Sequence, residues 1–281
     1  MLYMPGANAR ALQKAQSLDC DGLIFDLEDA VAPTAKEQAR SQVVAALTTN
    51  NYGHRERIVR INPLASPWGE ADLQACCALR NIDGVLLPKV ERRADIERVA
   101  QVLARCGQPQ LPMWLMIETP LGVLALTELL TECDQVAGLI LGSSDLVQEL
   151  HGLHNPTRDA LVYAMGQLLM VGRAHNLVVL DGVPLDFRDL DGLDLTNQQG
   201  RILGFDGRTL IHPDQIGPTN AVYGPSAEEI EHAGRIWAAW SQASAAGRGV
   251  VEVDGSLVEN LHAREAQRIL DFAAAIEQRQ H

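Results

Sequence analysis

The sequence predicts a (β/α)8 TIM barrel carrying a C-terminal helical and hairpin appendage, and three observations predict it. Short apolar runs of strand-like composition recur eight times, each 20 to 40 residues after the last. Most gaps hold segments whose apolar residues fall three and four apart, the spacing of a helix with one buried face. Near-continuous apolar strands that alternate with helices form a parallel sheet covered by helices. Eight such units suit a closed barrel, with a doubly wound open sheet as the structural competitor. The third observation is that ionisable residues stand at the ends of the runs.

The elements follow in order. "LYM" near residue 2 precedes the helical "ARALQKAQSL", and "GLIFDLED" from 22 precedes "AKEQARSQVVAALTT". "RIVRINP" from 57 and "GVLLPKV" from 84 come next, the latter ahead of "RADIERVAQVLARC". "MWLMIET" from 113, "GLILGSSD" from 138, "LVVLDGVP" from 177 and "GRTLIHP" from 207 complete the eight. Residues 1–217 are therefore expected to form the barrel and 218–281 the appendage. In the appendage, Ser226 can cap the helix "SAEEIEHAGRIWAAWSQASAA", with acids in its first turn. The "DG" of "VVEVDGSLVEN" suits a tight turn, and "LHAREAQRILDFAAAIEQ" reads as a last helix. A tail of about 60 residues is too small for a core of its own, so it is expected to pack on the barrel or on a neighbouring subunit.

Composition narrows the function. A net charge of −13 argues against a nucleic-acid surface, which needs concentrated Lys and Arg. No apolar run approaches the roughly 18 residues of a membrane span, and "MLYMPGANAR" has no basic region followed by an apolar stretch. Cys20, Cys76, Cys77, Cys106 and Cys133 show neither C-x-x-C nor Cys/His ligand spacing. Reduced thiols in a cytoplasmic protein are the expectation.

The charges at the run ends carry the chemistry. Asp26, Glu28 and Asp29 close the second run, and Arg60 and Asn62 the third. Lys89, Glu118, Asp145, Asp181 and His212 follow the later ones. Taken singly, each has a bland reading: Asp145 as a helix cap, Lys89 as a solvated charge, His212 as a loop residue, Asp26 as a structural acid. In a parallel barrel, however, all these ends lie at one mouth, where this architecture keeps its active sites. Glu118 ends the apolar "LPMWLMIE", where an unpaired charge is costly. A cation would neutralise it. Glu118 and Asp145, from adjacent strands, could together hold Mg2+, which often takes one or two protein carboxylates and completes its shell with water and substrate. Arg60 supplies a planar fork for a carboxylate or polarised carbonyl. An ion and a guanidinium over a carbonyl would stabilise an enolate.

The motifs "LYMPGANARALQKA", "GLIFDLEDAVAPTAKEQAR", "VRINPLASPWGEADL", "GVLLPKV", "MIETPLGVL", "LGSSDL", "GFDGRTLIHPDQI" and "DGSLVENLHAREAQRIL" run in order along the chain. Together they resemble the citrate lyase β-subunit-like proteins of the HpcH/HpaI aldolase superfamily, relatives of malyl-CoA and citramalyl-CoA lyases. The resemblance implies a Mg2+ ion, a hydroxy-acid thioester substrate and a homotrimer. It places Arg60 and Glu118 on the substrate, Glu118 and Asp145 on the metal, and Glu28 and Asp29 around it through water. In the family a C-terminal acid, usually Asp, reaches a neighbour's site; Glu259 stands there in this chain, with Asp254 as the substitute candidate. Arg10 and Lys14 are candidate phosphate contacts for CoA or an acyl-carrier group. The implied activity is carbon–carbon lysis of a citryl, citramalyl or malyl thioester. Hydrolysis of the thioester, a Schiff base on Lys89, and a non-catalytic lyase-like subunit are the rivals.

Overall fold

The computed structural model describes residues 1–184 and 186–279. Its main sheet has eight parallel strands in chain order. They are β1 (Leu2–Pro5), β2 (Gly22–Asp26), β3 (Glu56–Arg60), β4 (Gly84–Leu87), β5 (Met113–Ile117), β6 (Val136–Leu141), β7 (Val178–Asp181) and β8 (Gly207–Arg208). Between and after them come α1 (Ala9–Lys14), α2 (Lys36–Thr49), α3 (Gly69–Ala78), α4 (Arg93–Arg105) and α5 (Pro120–Leu129). α6 (Ser143–Glu149), α7 (Val162–Ala174), α8 (Leu190–Leu203) and α9 (Ile216–Tyr223) follow.

The last run gives only two residues to β8, but the chain then returns to the first strand. Leu210 bridges Leu2 in parallel. Tyr3 N–H donates to the Leu210 carbonyl and Leu210 N–H to that of Met1, both at 2.8 Å. The fold is thus α/β and TIM-barrel-like; the reversal of strand order that marks a doubly wound sheet does not occur.

Strand alternation builds the interior. Tyr3, Ile24, Ile58, Leu86, Trp114, Met116, Ile140 and Leu180 form one buried cluster drawn from seven of the strands. The alternate residues, Leu23, Phe25, Val59, Val85 and Leu115 among them, are buried too. Two covered faces explain why the strands read as unbroken apolar runs. The ring of Trp114 fills space that a side chain at position 138 would need, so Gly138 belongs to this packing. Two residues on from Ile24, Ile58 and Met116, the same inward face carries Asp26, Arg60 and Glu118. Period-two geometry thereby lifts three charged groups onto the rim of an apolar interior.

Residues from Asn220 onward form a second compact unit, with Met1–Thr219 as the first. α10 (Ala227–Ala245) opens with a capping box: Ser226 Oγ accepts from Glu229 N–H at 3.1 Å, and the Glu229 carboxylate from Ser226 N–H at 2.7 Å. β9 (Val251–Val253) and β10 (Ser256–Val258) pair antiparallel. The turn between them is Asp254-Gly255, with φ of 51° and 77°, the left-handed pair a two-residue hairpin requires. α11 (Asn260–Arg279) follows, and buried alanines at 233, 243, 263 and 266 mark the close packing within this unit. Among the described residues no helix is long and apolar enough to cross a membrane.

One expectation is corrected. Cys77 and Cys106 are disulfide-bonded, tying the end of α3 to the residue after α4; Cys20, Cys76 and Cys133 are free. Gln108 fastens the same corner, its Nε2 donating to the carbonyls of Cys76, Cys77 and Leu79 at 3.2, 2.8 and 2.9 Å. The two cysteines are 29 residues apart in sequence, with Cα atoms 5.8 Å apart. Helix packing creates that proximity, and cysteine spacing carries no trace of it.

Candidate active site

Sheet register assembles the rim. Asp26 is the direct β-partner of Arg60 across β2 and β3. Arg60 Nε and Nη2 grip the two Asp26 oxygens, each at 2.6 Å, and the guanidinium lies over the Tyr3 ring, 4.8 Å from its centre. Most of Arg60's fork is therefore committed to Asp26. Its Nη1 remains, 3.7 Å from Met116 Sδ and 3.5 Å from Asp29 Oδ2. The same nitrogen is 2.9 Å from Glu28 Oε2, at an angle that makes no hydrogen bond. That oxygen is buried without a hydrogen-bond partner.

The Glu28 loop is held from two sides. Asp26 accepts from the N–H groups of Glu28 (2.8 Å) and Ala30 (3.1 Å). Behind it, Lys36 Nζ donates to the carbonyls of Leu27 (2.9 Å) and Glu28 (2.8 Å). Across the rim, Lys89 Nζ is 3.0 Å from Glu28 Oε1, 3.7 Å from Asp145 Oδ1 and 4.0 Å from Asp29 Oδ1. Lys89 N–H donates to Glu118 Oε1 at 2.8 Å. Glu118 sits between the end of β5 and Thr119, whose Oγ1 caps α5 by accepting from Gly122 N–H at 3.0 Å. Its other neighbour is Gly142, where any Cβ would fall against Glu118 Cβ and, at 2.6 Å, its Oε2. Only glycine leaves that carboxylate its place.

Carboxylates outnumber the cations that face them, and the protonation equilibria respond. Burial pushes Glu118 up to about 8; Lys89 opposes the shift, while the charges of Glu28 and Asp145 reinforce it. Glu28 is likewise raised, chiefly by burial. Burial opposes the charge on Lys89, but Glu118, Glu28 and Asp29 outweigh it and raise its pKa. An amine held protonated is a poor nucleophile, which speaks against a Schiff base on Lys89.

Arg60, Glu118, Glu28, Asp29 and Asp145 thus gather in one place. Arg10 and Lys14 are exposed on α1 and make no ion pair among the described residues. Asp254 belongs to the C-terminal unit, where it meets Arg235 at 3.1 Å and His232 at 3.4 Å. Glu259 is exposed in the same unit, and its carbonyl accepts the first helical N–H bonds of α11. Asp181 does not join the cluster. It is fully buried and bound by Arg158 Nη1 at 2.6 and 2.7 Å, with Arg208 Nη2 at 3.5 Å. His212 caps the turn at Pro213 and stacks on Phe187, ring centres 5.0 Å apart. Asp26 is expected at this mouth as a strand-end acid with a structural reading, and it is the clamp on Arg60. Tyr3 and Lys36 are not expected there, and strand alternation along β1 is the signal that could have found Tyr3.

One cavity touches this mouth and a second lies beside Ser143. The first, about 280 Å³, is lined by Asn62, Pro63, Leu87, Lys89 and Val90 among others. The other, about 260 Å³ and mostly apolar, begins at Ser143, two residues before Asp145, and reaches Arg158 and Arg208. The donors around Lys89 are all oxygens, which suits a hard divalent ion. Among the described residues no three His, Cys, Asp or Glu side chains are grouped to hold an ion by themselves. The donor set fits an ion completed by water and substrate.

Strand-end carboxylates gathered round an arginine and a lysine, on a parallel TIM-barrel-like sheet, define an α/β protein with a charged site at the strand ends, where enzymes of this architecture keep theirs. The chain belongs to the HpcH/HpaI aldolase/citrate lyase family, whose model matches residues 1–213. It is 46% identical over 276 residues to a (3S)-malyl-CoA thioesterase of Cereibacter sphaeroides, covering 98% of this chain and 94% of that one. It is 34% identical to a citrate lyase subunit beta of Leuconostoc mesenteroides, covering 98% and 93%. A crystal structure of CitE from Mycobacterium tuberculosis with magnesium, acetoacetate and coenzyme A superposes with a TM-score of 0.80 at 28% identity, covering 97% of each chain.

Proposed function

We propose that this protein is a Mg2+-dependent enzyme that cleaves a hydroxy-acyl thioester of the malyl-CoA class. The observation that carries the reading is the buried Glu118 beside Asp145 and Glu28, a cluster short of cations at the strand ends. Glu118 and Asp145 would hold the ion directly, with Glu28 and Asp29 around it through water. When bound, Mg2+ would supply Lewis-acid polarisation of substrate oxygens. The chain's own residues do the rest. Arg60, fixed by Asp26, offers Nη1 to developing negative charge. Asp29, about half exposed and 3.5 Å from Arg60 Nη1, would be the group to accept a proton. Glu259 or Asp254 of a neighbouring protomer would return one, and Asp254 is the weaker candidate because Arg235 already engages it.

Thioester hydrolysis is the bond cleavage best supported, because the 46% identical relative is named for it. Carbon–carbon lysis is the second reading, supported by the family match and the citrate lyase subunits. Incubation with (3S)-malyl-CoA and Mg2+ separates them: hydrolysis yields malate and free CoA, lysis yields acetyl-CoA and glyoxylate. Failure to turn over any hydroxy-acyl-CoA would leave the non-catalytic reading in possession. A homotrimer, a CoA or acyl-carrier thioester, contacts from Arg10 and Lys14 to its phosphates, and a cytoplasmic location belong to the same proposal.

Gly142→Ala tests the placement of Glu118. The added methyl displaces the carboxylate from the Lys89 N–H, and misplacement near 1 Å costs about a hundredfold in turnover. Steady-state kinetics on the folded variant should show that loss in kcat. Near-normal kcat would mean that the position of Glu118 does not matter.

A further inference from the structure

Lys89 is the one charged group of this mouth to which the proposed chemistry gives no task, yet it touches every carboxylate proposed around the ion. Its ammonium reaches Glu28, Asp145 and Asp29 within 4.0 Å, and its N–H holds Glu118. The backbone is set for this. Lys89 has φ of 50°, a left-handed conformation that a non-glycine residue keeps only where its surroundings enforce it. The two cations of the rim differ in freedom. Arg60 is 8% exposed and locked bidentately on Asp26, whereas the Lys89 side chain is 33% exposed on a flexible four-carbon stem.

We propose that Lys89 is a resident stand-in cation. With no divalent ion bound, its ammonium bridges Glu28, Asp29 and Asp145 and holds them together against their mutual repulsion. When the ion enters, the ammonium swings out, since the two cannot share the same oxygens at close range. Lys89 is then a positioning residue that preforms the site and competes with the metal for it. The inference rests on the metal reading above.

The test uses the full chain and two measurements: thermal melts in EDTA, and calorimetric titration of Mg2+ alone. Lys89→Met should melt lower than wild type in EDTA and bind Mg2+ about tenfold tighter or more, because a competing charge near 4 Å is gone. The same Mg2+ concentration should then raise its melting temperature further than it raises the wild type's. Lys89→Arg, which keeps the charge, should melt like wild type in EDTA. Lys89→Gln keeps the question open should the Met variant fold poorly, and it must also bind more tightly. Wild-type binding with no tightening in either neutral variant overturns the proposal and leaves the metal reading standing. Absence of Mg2+ binding by the wild type overturns both.

Discussion

Glu118→Gln loses turnover by on the order of a thousandfold while the protein remains folded. The substitution is nearly isosteric, and Gln Oε1 can still accept the Lys89 N–H now bonded to Glu118 at 2.8 Å. What disappears is the negative charge, and with it roughly a hundredfold or more in Mg2+ affinity. The pH dependence gives the result a second signature. Glu118 is raised from 4.5 to about 8, so between those values the folded chain binds a proton that the unfolded chain has released. Folded-state proton uptake means that stability falls as pH rises through this window, by up to roughly 1.4 kcal/mol per unit, and levels off above about 8. Mg2+ binding near pH 7 must then expel that proton, and affinity must climb with pH up to about 8. Calorimetry in buffers of different ionisation enthalpy should count close to one proton released by wild type. A variant that still turns over at an appreciable fraction of the wild-type rate, or a wild type that binds Mg2+ with no proton release, would remove Glu118 from the centre of the mechanism.

Much of this site was legible because it depends on local periodicity. A strand of apolar residues that ends in an acid, repeated along the chain, places each charge at one end of a parallel sheet whatever the details of packing. Arg60, Glu118, Asp145, Glu28 and Asp29 were all located this way. The C-terminal capping box at Ser226 and the Asp254-Gly255 turn were legible for the same reason: their signals lie within four residues. What stayed hidden depends on which residues meet across the fold. The grip of Asp26 on Arg60 needs the register between β2 and β3, and Arg158 on Asp181 needs a loop to cross from β6 to β7. The Cys77–Cys106 bond needs two helices to pack side by side. Lys89 was visible as a charge, but its left-handed backbone and its central place among the acids were not. Pair contacts are tertiary facts, and composition or spacing carries little of them.

Arg60→Met should be the most destabilising single change at the rim, and its cause is separable from catalysis. Both partners of the Arg60–Asp26 pair are nearly inaccessible, with side chains 8% and 1% exposed. Removing the guanidinium strands the Asp26 charge on top of an apolar interior, beside a Glu28 oxygen that already lacks a hydrogen bond. Breaking a buried pair from one side costs about 3–5 kcal/mol, enough to lower the melting temperature by roughly 10 °C in a domain of this size. Neutralising the orphan should restore much of that. In the double variant Arg60→Met/Asp26→Asn the carboxylate charge is gone, and the Asn oxygen can still accept the Glu28 N–H now at 2.8 Å, although the weaker bond from Ala30 N–H at 3.1 Å is lost. The double variant should recover at least half of the lost stability and none of the lost turnover, because Nη1 is still missing from the mouth. Denaturant titration of the four members of the cycle measures the coupling directly. A stable Arg60→Met would show that the pair contributes little to the fold. An active double variant would show that Arg60 serves the fold alone and that the developing charge is stabilised by other groups.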